Sequence, residues 1–399
     1  MPTEDHRKVR LLLKSGQAKV VQRTPFTIQL LHTTHVYKQD INLGVDTGSK
    51  VIGLSATTSK KELFAEEVTI RNDITELLSL RKMYRKNRRW RTTRYRKERF
   101  LNRVKVMKKG WVAPSIRAKL EYHLNIIKKV YKILPITKLI VEVASFDMQK
   151  IQNSEIEGIE YQQGSQFGFW NVREYVLHRD NHECQYCHGK SKDKVLNVHH
   201  IVTRKTGGNS PSNLITLCRT CHQKYHSGEI KLKVTKPKSL KDAAFMNIMR
   251  WKLYNSLKEI YNNVYMTFGY ITKNIRIENS LPKEHYIDAR CISGNPKSLS
   301  LGLFYMGKLV RRHNRQLHKA TIGKKGYRKS NQSPKYVFGY QLYDKVYCKG
   351  QVCFIFSRRT KGYFDIRHID GTRVTASITY KKMKLLEKRK TLLLEIVKV

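Results

Sequence analysis

Two Cys-x-x-Cys pairs, Cys184 with Cys187 and Cys218 with Cys221, are separated by thirty residues, and no other feature constrains the fold so tightly. That is the spacing of a zinc ribbon or knuckle with tetrahedral thiolate ligation. Four buried thiols without a metal are the bland alternative. Seven Cys in all, four of them so paired, suit a metal site in a reducing compartment better than a disulfide framework, so the chain reads as intracellular and cytoplasmic. Between the pairs lie Val198-His199-His200-Ile201, Gly207-Gly208-Asn209 and Asn213-Leu214, and His222 directly follows the last Cys. His188 and His226 stay open between zinc ligation and plain surface positions.

The remaining constraint is charge. The 399 residues carry 79 Lys and Arg against 31 Asp and Glu, a formal net charge of +48, too large an excess to serve solubility alone. A polyanionic partner is implied. With 40% hydrophobic and 10% aromatic residues the chain can build a core, which excludes a disordered basic tail, and its length suggests two or three packed units. Charges from Glu4 to Lys8 occupy the place of a signal peptide's apolar stretch, and no uncharged apolar run approaches membrane-spanning length. No membrane partner is expected.

Along the chain, residues 1–40 read as a small α+β domain: a basic amphipathic stretch from Arg7 to Gly16, then short strands around Thr24-Pro25. Residues 41–72 read as an antiparallel meander whose first strand ends in Asp46. Residues 73–113 hold the most basic run, with fifteen Lys or Arg and one acid between Arg81 and Lys109, and no Gly or Pro. A helix is expected there, one that self-repulsion leaves marginal unless phosphates neutralise it. Residues 114–153 combine an amphipathic helix with a buried strand, Lys138 to Val143, that contains Glu142. A linker at 154–168 leads into the Cys/His block at 169–228. Segment 229–300 resumes with a helix from Ala243 to Tyr261, a strand around Val264 to Ile271 and a helix opening at His285. The block therefore reads as an insertion between two halves of one fold. Residues 301–399 carry 24 Lys or Arg against 5 acids, with short β-type runs at Lys335–Tyr343, Gln351–Phe356 and Arg373–Thr379.

The order His199-His200-Ile201, Asn213-Leu214, Cys218-x-x-Cys221-His222 resembles an HNH (ββα-metal) endonuclease. The resemblance assigns water activation to His200, one Mg²⁺ to His199 and His222, and orientation of the loop and base to Asn213. A neutral imidazole that takes the proton from water, beside one divalent ion at the scissile phosphate, suffices for that chemistry. Asp46, Glu142 and Asp288, each weak alone, together resemble the triad of a split RuvC nuclease with an RNase H-like fold. In that family such carboxylates converge on two Mg²⁺ ions, with a water-activating His at the place of His285. The combination of a RuvC core in three parts, an Arg-rich bridge helix and an inserted HNH domain resembles the IscB family of transposon-encoded RNA-guided nucleases. Only Met1-Pro2 remains of that family's N-terminal Pro-Leu-Met-Pro motif.

This resemblance implies a mixed α/β fold with a four-cysteine zinc site (Cys184, Cys187, Cys218, Cys221) and a β-rich C-terminal region that binds RNA and recognises a target-adjacent motif. It implies a monomeric protein in a ribonucleoprotein with an omega RNA, cutting double-stranded DNA. HNH would cut the guide-paired strand and RuvC the displaced one, while Arg85, Arg88, Arg89, Arg91 and Arg94 contact phosphates. A protein-only HNH endonuclease of the homing or restriction type and a non-catalytic zinc RNA-binding protein are the rival readings. Cys291, Cys348 and Cys353 are expected to pack as small apolar residues.

Overall fold

A computed structural model of the chain describes residues 3, 5–33, 39–90, 112, 114–143, 168–204, 209–232, 241–313 and 334–399. The chain divides into two compact units, Met1–Ser145 with Met246–Val399, and Phe146–Phe245. In sequence, the second interrupts the first.

The first unit opens with α1 (His6–Lys14), whose N-cap Asp5 accepts a hydrogen bond from the Lys8 amide, and an antiparallel hairpin of β1 (Ala18–Gln22) and β2 (Thr27–Leu30). Next come β3 (Asn42–Asp46), β4 (Val51–Thr57) and β5 (Glu62–Thr69), the expected antiparallel meander. Residues 52–57 are all buried, so β4 is covered on both faces. The helix α2 (Ile74–Trp90) follows, and α3 (Pro114–Tyr131) opens on a proline, which a first helical turn tolerates because its N–H would be unpaired anyway. Ile116, Ile126, Ile127 and Val130 are the buried side of α3, and β6 (Lys138–Glu142) comes after it.

The second unit contains α4 (Val172–Arg179), β7 (Leu196–His200), β8 (Leu214–Cys218) and α5 (Arg219–Ser227). The chain then passes through α6 (Lys241–Ile260), β9 (Val264–Thr267), α7 (Gly269–Glu278), α8 (His285–Ile292) and β10 (Leu303–Leu309). The last strands are β11 (Lys345–Cys348), β12 (Gln351–Arg358), β13 (Tyr363–Arg367), β14 (Arg373–Thr379), β15 (Lys384–Glu387) and β16 (Leu392–Lys398).

A seven-stranded sheet in the order β16-β10-β5-β4-β3-β6-β9 is the frame of the first unit, with β3, β6 and β9 parallel. The register pairs Val45 with Val141 and Glu142 with Thr267, so Asp46, Glu142 and the start of α7 emerge at one end of adjacent strands. Across β3 and β4 lies α8, and its close approach depends on two glycines. A Cβ at Gly44 would drive into the Ala289 carbonyl, and one at Gly53 into the carbonyl of His285. Behind α8, Ser55 Oγ donates to Glu62 Oε1 (2.5 Å), Arg290 stands 3.9 Å from Glu62, and Thr57 Oγ1 meets Ser293 Oγ at 2.7 Å.

A separate five-stranded sheet, β14-β13-β12-β11-β15, closes over Val346, Cys353, Ile355, Phe364 and Ile366. Lys345 Nζ donates from it to Thr24 Oγ1 (3.0 Å) and to the Leu394 carbonyl (2.8 Å), and Arg23 donates to the Leu386 carbonyl. Cys291, Cys348 and Cys353 are buried.

Three local expectations are corrected. The strand read at Val264 to Ile271 stops at Thr267, because Gly269 already begins α7. Lys335–Tyr343 is a tight reversal with a Val337–Tyr340 bridge, where Phe338 and Gly339 both take positive φ, and not a strand. Leu303–Leu309 and Leu392–Lys398, inside the expected C-terminal region of residues 301–399 but outside its expected β-type runs, are strands that extend the seven-stranded sheet. Their irregular burial, with Gly307 inside β10, blurs the alternation that marks a strand. Among the described residues no helix is long and apolar enough to cross a membrane.

Gly44→Ala should lower stability by about 1–3 kcal/mol or more, the range for overpacking, as read by urea unfolding. A second prediction concerns Glu66 of β5, which is fully buried; burial, only partly offset by Lys129, pushes its carboxyl from 4.5 up to about 7. The folded state therefore binds this proton more tightly, and its stability contribution is full below about pH 4.5 and lost as pH rises through about 7. Stability measured from about pH 5 to 8 should fall, and less steeply in Glu66→Gln.

Candidate metal centres

In the second unit β7 and β8 pair antiparallel, with His199 opposite Ile215, and α5 follows directly. Cys218 caps α5: its Sγ accepts from the Cys221 amide at 3.4 Å. The four sulfurs of Cys184, Cys187, Cys218 and Cys221 lie within 4.8 Å of one another, and Cys187 and Cys218 are 3.8 Å apart. Four Zn–S bonds of about 2.3 Å make a tetrahedron with an edge of about 3.8 Å, so the donors and their spacing fit zinc. Ser191 Oγ sits 3.3 Å from Cys187 Sγ and 3.1 Å from Cys218 Sγ. Burial opposes ionisation of Cys187, but hydrogen bonds from Ser191 and the neighbouring thiols bring it down to about 6.

A second group lies on the same ββα frame. His199 on β7 and His222 and His226 on α5 bring ring nitrogens within 4.8 Å of one another, with the Nε2 atoms of His222 and His226 3.3 Å apart. His199 is 7% exposed and its Nε2 is buried without a hydrogen-bond partner. Burial, then the neighbouring His222 and His226, holds its pKa down to about 4. A neutral imidazole with an unpaired buried nitrogen, facing two more imidazoles, fits a divalent ion. His200 points its Nε2 at Asn209 Oδ1, 3.1 Å away. Asn213 is fully buried; its Oδ1 accepts from the Val202 amide and its Nδ2 donates to the Val202 carbonyl, both at 2.8 Å. These bonds fix the backbone immediately after His200.

The carboxylates gather at the end of the parallel strands in the first unit. Asp46 Oδ2 is 2.6 Å from His285 Nδ1, and the bond to Asp46 raises the His285 pKa. Thr272 Oγ1 donates to Glu142 Oε2 (2.7 Å), and Thr47 Oγ1 to the Glu142 carbonyl (2.7 Å). Arg276, one turn along α7 from Thr272, stands 2.9 Å from Asp288. Burial, then the charge of Asp46, lifts Glu142 to about 7, and the same two causes raise Asp288. Together with Asp46 these two acids make three oxygen donors, a set that fits a hard cation.

The structure thus brings Asp46, Glu142, His285 and Asp288 together, and separately His199, His200, Asn213 and His222 with the four thiols. Arg85 is exposed on α2; Arg88 and Arg89 fall on α2 without described side chains; Arg91 and Arg94 lie outside the described residues, as do Gly207, Gly208 and most of the linker read at 154–168. Sequence reading left His226 unassigned, although its spacing of four from His222 puts both on one helix face. It passed over Thr272 and Arg276, which carry no motif and gain meaning only once α7 meets β6 and α8.

An antiparallel hairpin leading into a helix, with imidazoles converging between them, defines a ββα-metal class of site. Residues 184–228 match the HNH endonuclease family, which makes this domain the module of a metal-dependent DNA nuclease, and residues 1–164 match the family described as RRXRR protein. Anaredoxin of Nostoc sp. strain PCC 7120 is 32% identical over 64 residues, 16% of this chain and 82% of that protein. Across that shared segment the chain belongs to the anaredoxin family. Crystal structures of Streptococcus thermophilus Cas9 with AGGA PAM and with AGAA PAM give TM-scores of 0.34 and 0.35 at 13% identity, over 56% of this chain and 32% of those. The chain spans about a third of the length of those Cas9 chains.

Metal analysis of purified protein should find about one zinc per chain, held by four thiolates, and Cys187→Ser should lose it. Asn213→Ala, which leaves two backbone groups of Val202 without partners, should destabilise the domain by about 1–3 kcal/mol in denaturant melts.

Proposed function

We propose that the chain is an RNA-guided DNA endonuclease of the IscB type, with two nuclease centres. The observation that carries this is the presence, in one chain of net charge +48, of both an imidazole centre on a ββα frame and a carboxylate centre on a mixed sheet. Five strands of that sheet, β5-β4-β3-β6-β9, run as an antiparallel meander joined to two parallel strands, an order that supports the RNase H-like RuvC reading. A protein-only HNH enzyme leaves this second centre without a role, and a non-catalytic zinc protein leaves both.

In the ββα domain His199, His222 and His226 would hold one Mg²⁺. His200 takes the proton from the attacking water, and Asn213 keeps its loop in place. In the other centre Asp46, Glu142 and Asp288 would hold two Mg²⁺ ions, His285 serves proton transfer, and Thr272 and Arg276 orient Glu142 and Asp288. The ions supply charge stabilisation at the phosphate under attack. An omega RNA selects the target by base pairing, the basic segment from Arg81 to Lys109 follows its backbone, and the C-terminal region engages the target-adjacent motif. The working particle is then one protein chain with one RNA in the cytoplasm of a transposon-bearing cell. HNH cuts the guide-paired strand and RuvC the displaced one.

The test is strand-resolved cleavage of an end-labelled duplex by protein co-expressed with its native flanking DNA. His200→Ala should cut only the displaced strand and Asp46→Ala only the guide-paired strand, each silenced strand slowing at least about 100-fold. Two-strand cutting by either variant sinks the assignment, and cutting that survives removal of bound RNA favours the protein-only enzyme.

A further inference from the structure

Beside Glu142 the chain exposes an aromatic step that nothing in the two centres uses. Phe268 and Tyr270 flank Gly269 where β9 gives way to α7, and their rings lie 10° from parallel with centroids 6.2 Å apart. Phe268 is 37% exposed and Tyr270 66%, although both lie beside the buried sheet. Gly269 itself abuts the acid: a Cβ there would come 3.0 Å from Glu142 Oε1. Tyr265 is also exposed, with Lys138 Nζ 4.5 Å from its ring centre. Lys273 is exposed one turn beyond Tyr270, and Lys283, also exposed, is close enough to act on Asp288.

We propose that Phe268 and Tyr270 form a base-stacking step that receives single-stranded DNA at the carboxylate centre, with Lys273 and Lys283 on the flanking phosphates. This rests on the nuclease reading of that centre and names the side chains that hold the displaced strand there. Exposed aromatic faces interleaved with cations suit a single strand, whose unpaired bases present both π-faces; in a duplex those faces are already stacked on neighbouring base pairs. Charge favours nucleic acid over an apolar protein partner, since Lys138 stands by the Tyr265 ring and the exposed Lys273 follows Tyr270 on the same helix. Because Gly269, which adjoins Tyr270 in the chain, lies against Glu142, a base seated on Tyr270 is held close to that acid. Stacking tolerates any sequence, which a centre that must cut whatever strand is displaced requires.

The test uses the full chain carrying Asp46→Ala, without added metal, and a single-stranded DNA oligonucleotide containing 2-aminopurine, whose fluorescence is quenched when it stacks. The expected results are quenching on binding, about tenfold weaker binding with the quench lost in Tyr270→Ala, and both retained in Tyr270→Phe. The same oligonucleotide annealed into a duplex should give little Tyr270-dependent quench. Equal binding and quenching by Tyr270→Ala, or equal Tyr270-dependent quenching by duplex, overturns the proposal. Cleavage plays no part in this readout, so the strand pattern of Asp46→Ala in otherwise unaltered protein judges the carboxylate centre separately.

Discussion

The seating of α8 on β3 and β4 is the contact on which the carboxylate centre depends. Asp46 and Glu142 reach the same edge through strand register, but Asp288 and His285 reach it only because Gly44 and Gly53 let a helix backbone rest on the sheet. The buried bonds among Ser55, Thr57, Glu62, Arg290 and Ser293 then fix the rotation of that helix. Glycine at the contact and polar groups behind it do different work: one sets the distance, the other the angle. A centre with three acids, two of them raised by burial and mutual repulsion, needs both.

The second centre is built on the opposite principle. Its frame is small, two strands and a helix, and the core around Cys184, Ile215, Leu217, Cys218 and Cys221 consists largely of the thiols themselves. Such a unit buries too little apolar surface to hold imidazoles in place by packing alone. Four thiolates on one ion, with Cys218 also serving as the helix cap, would supply the missing rigidity. His222 directly follows Cys221, so a thiol of the one cluster and an imidazole of the other share one helical turn.

Much of this was legible in the sequence because the signals were local. The Cys pairs, the His-His dipeptide and Asn213 form a pattern within forty residues, and the meander, β6 and α3 show their periodicities plainly. The register between β3 and β6 was not legible, since strands separated by ninety residues carry no mark of their pairing. Thr272 and Arg276 escaped for the same reason: a threonine and an arginine on an ordinary helix mean nothing until Glu142 and Asp288 are opposite them. Strands β10 and β16 escaped because both are only partly buried and irregularly so, and Gly307 interrupts β10. His226 was visible as a residue and lacked only its partners.

The position of the inserted unit has a kinetic side. Leu139 pairs with Val264 in adjacent parallel strands, so this part of the sheet closes across more than a hundred residues, the kind of long-range contact that slows folding. An insert that has already collapsed on its own thiol core removes most of that span from the search. With zinc on those four thiols, the speed at which the edge bearing Glu142 assembles would inherit a dependence on a metal that the carboxylates themselves never touch.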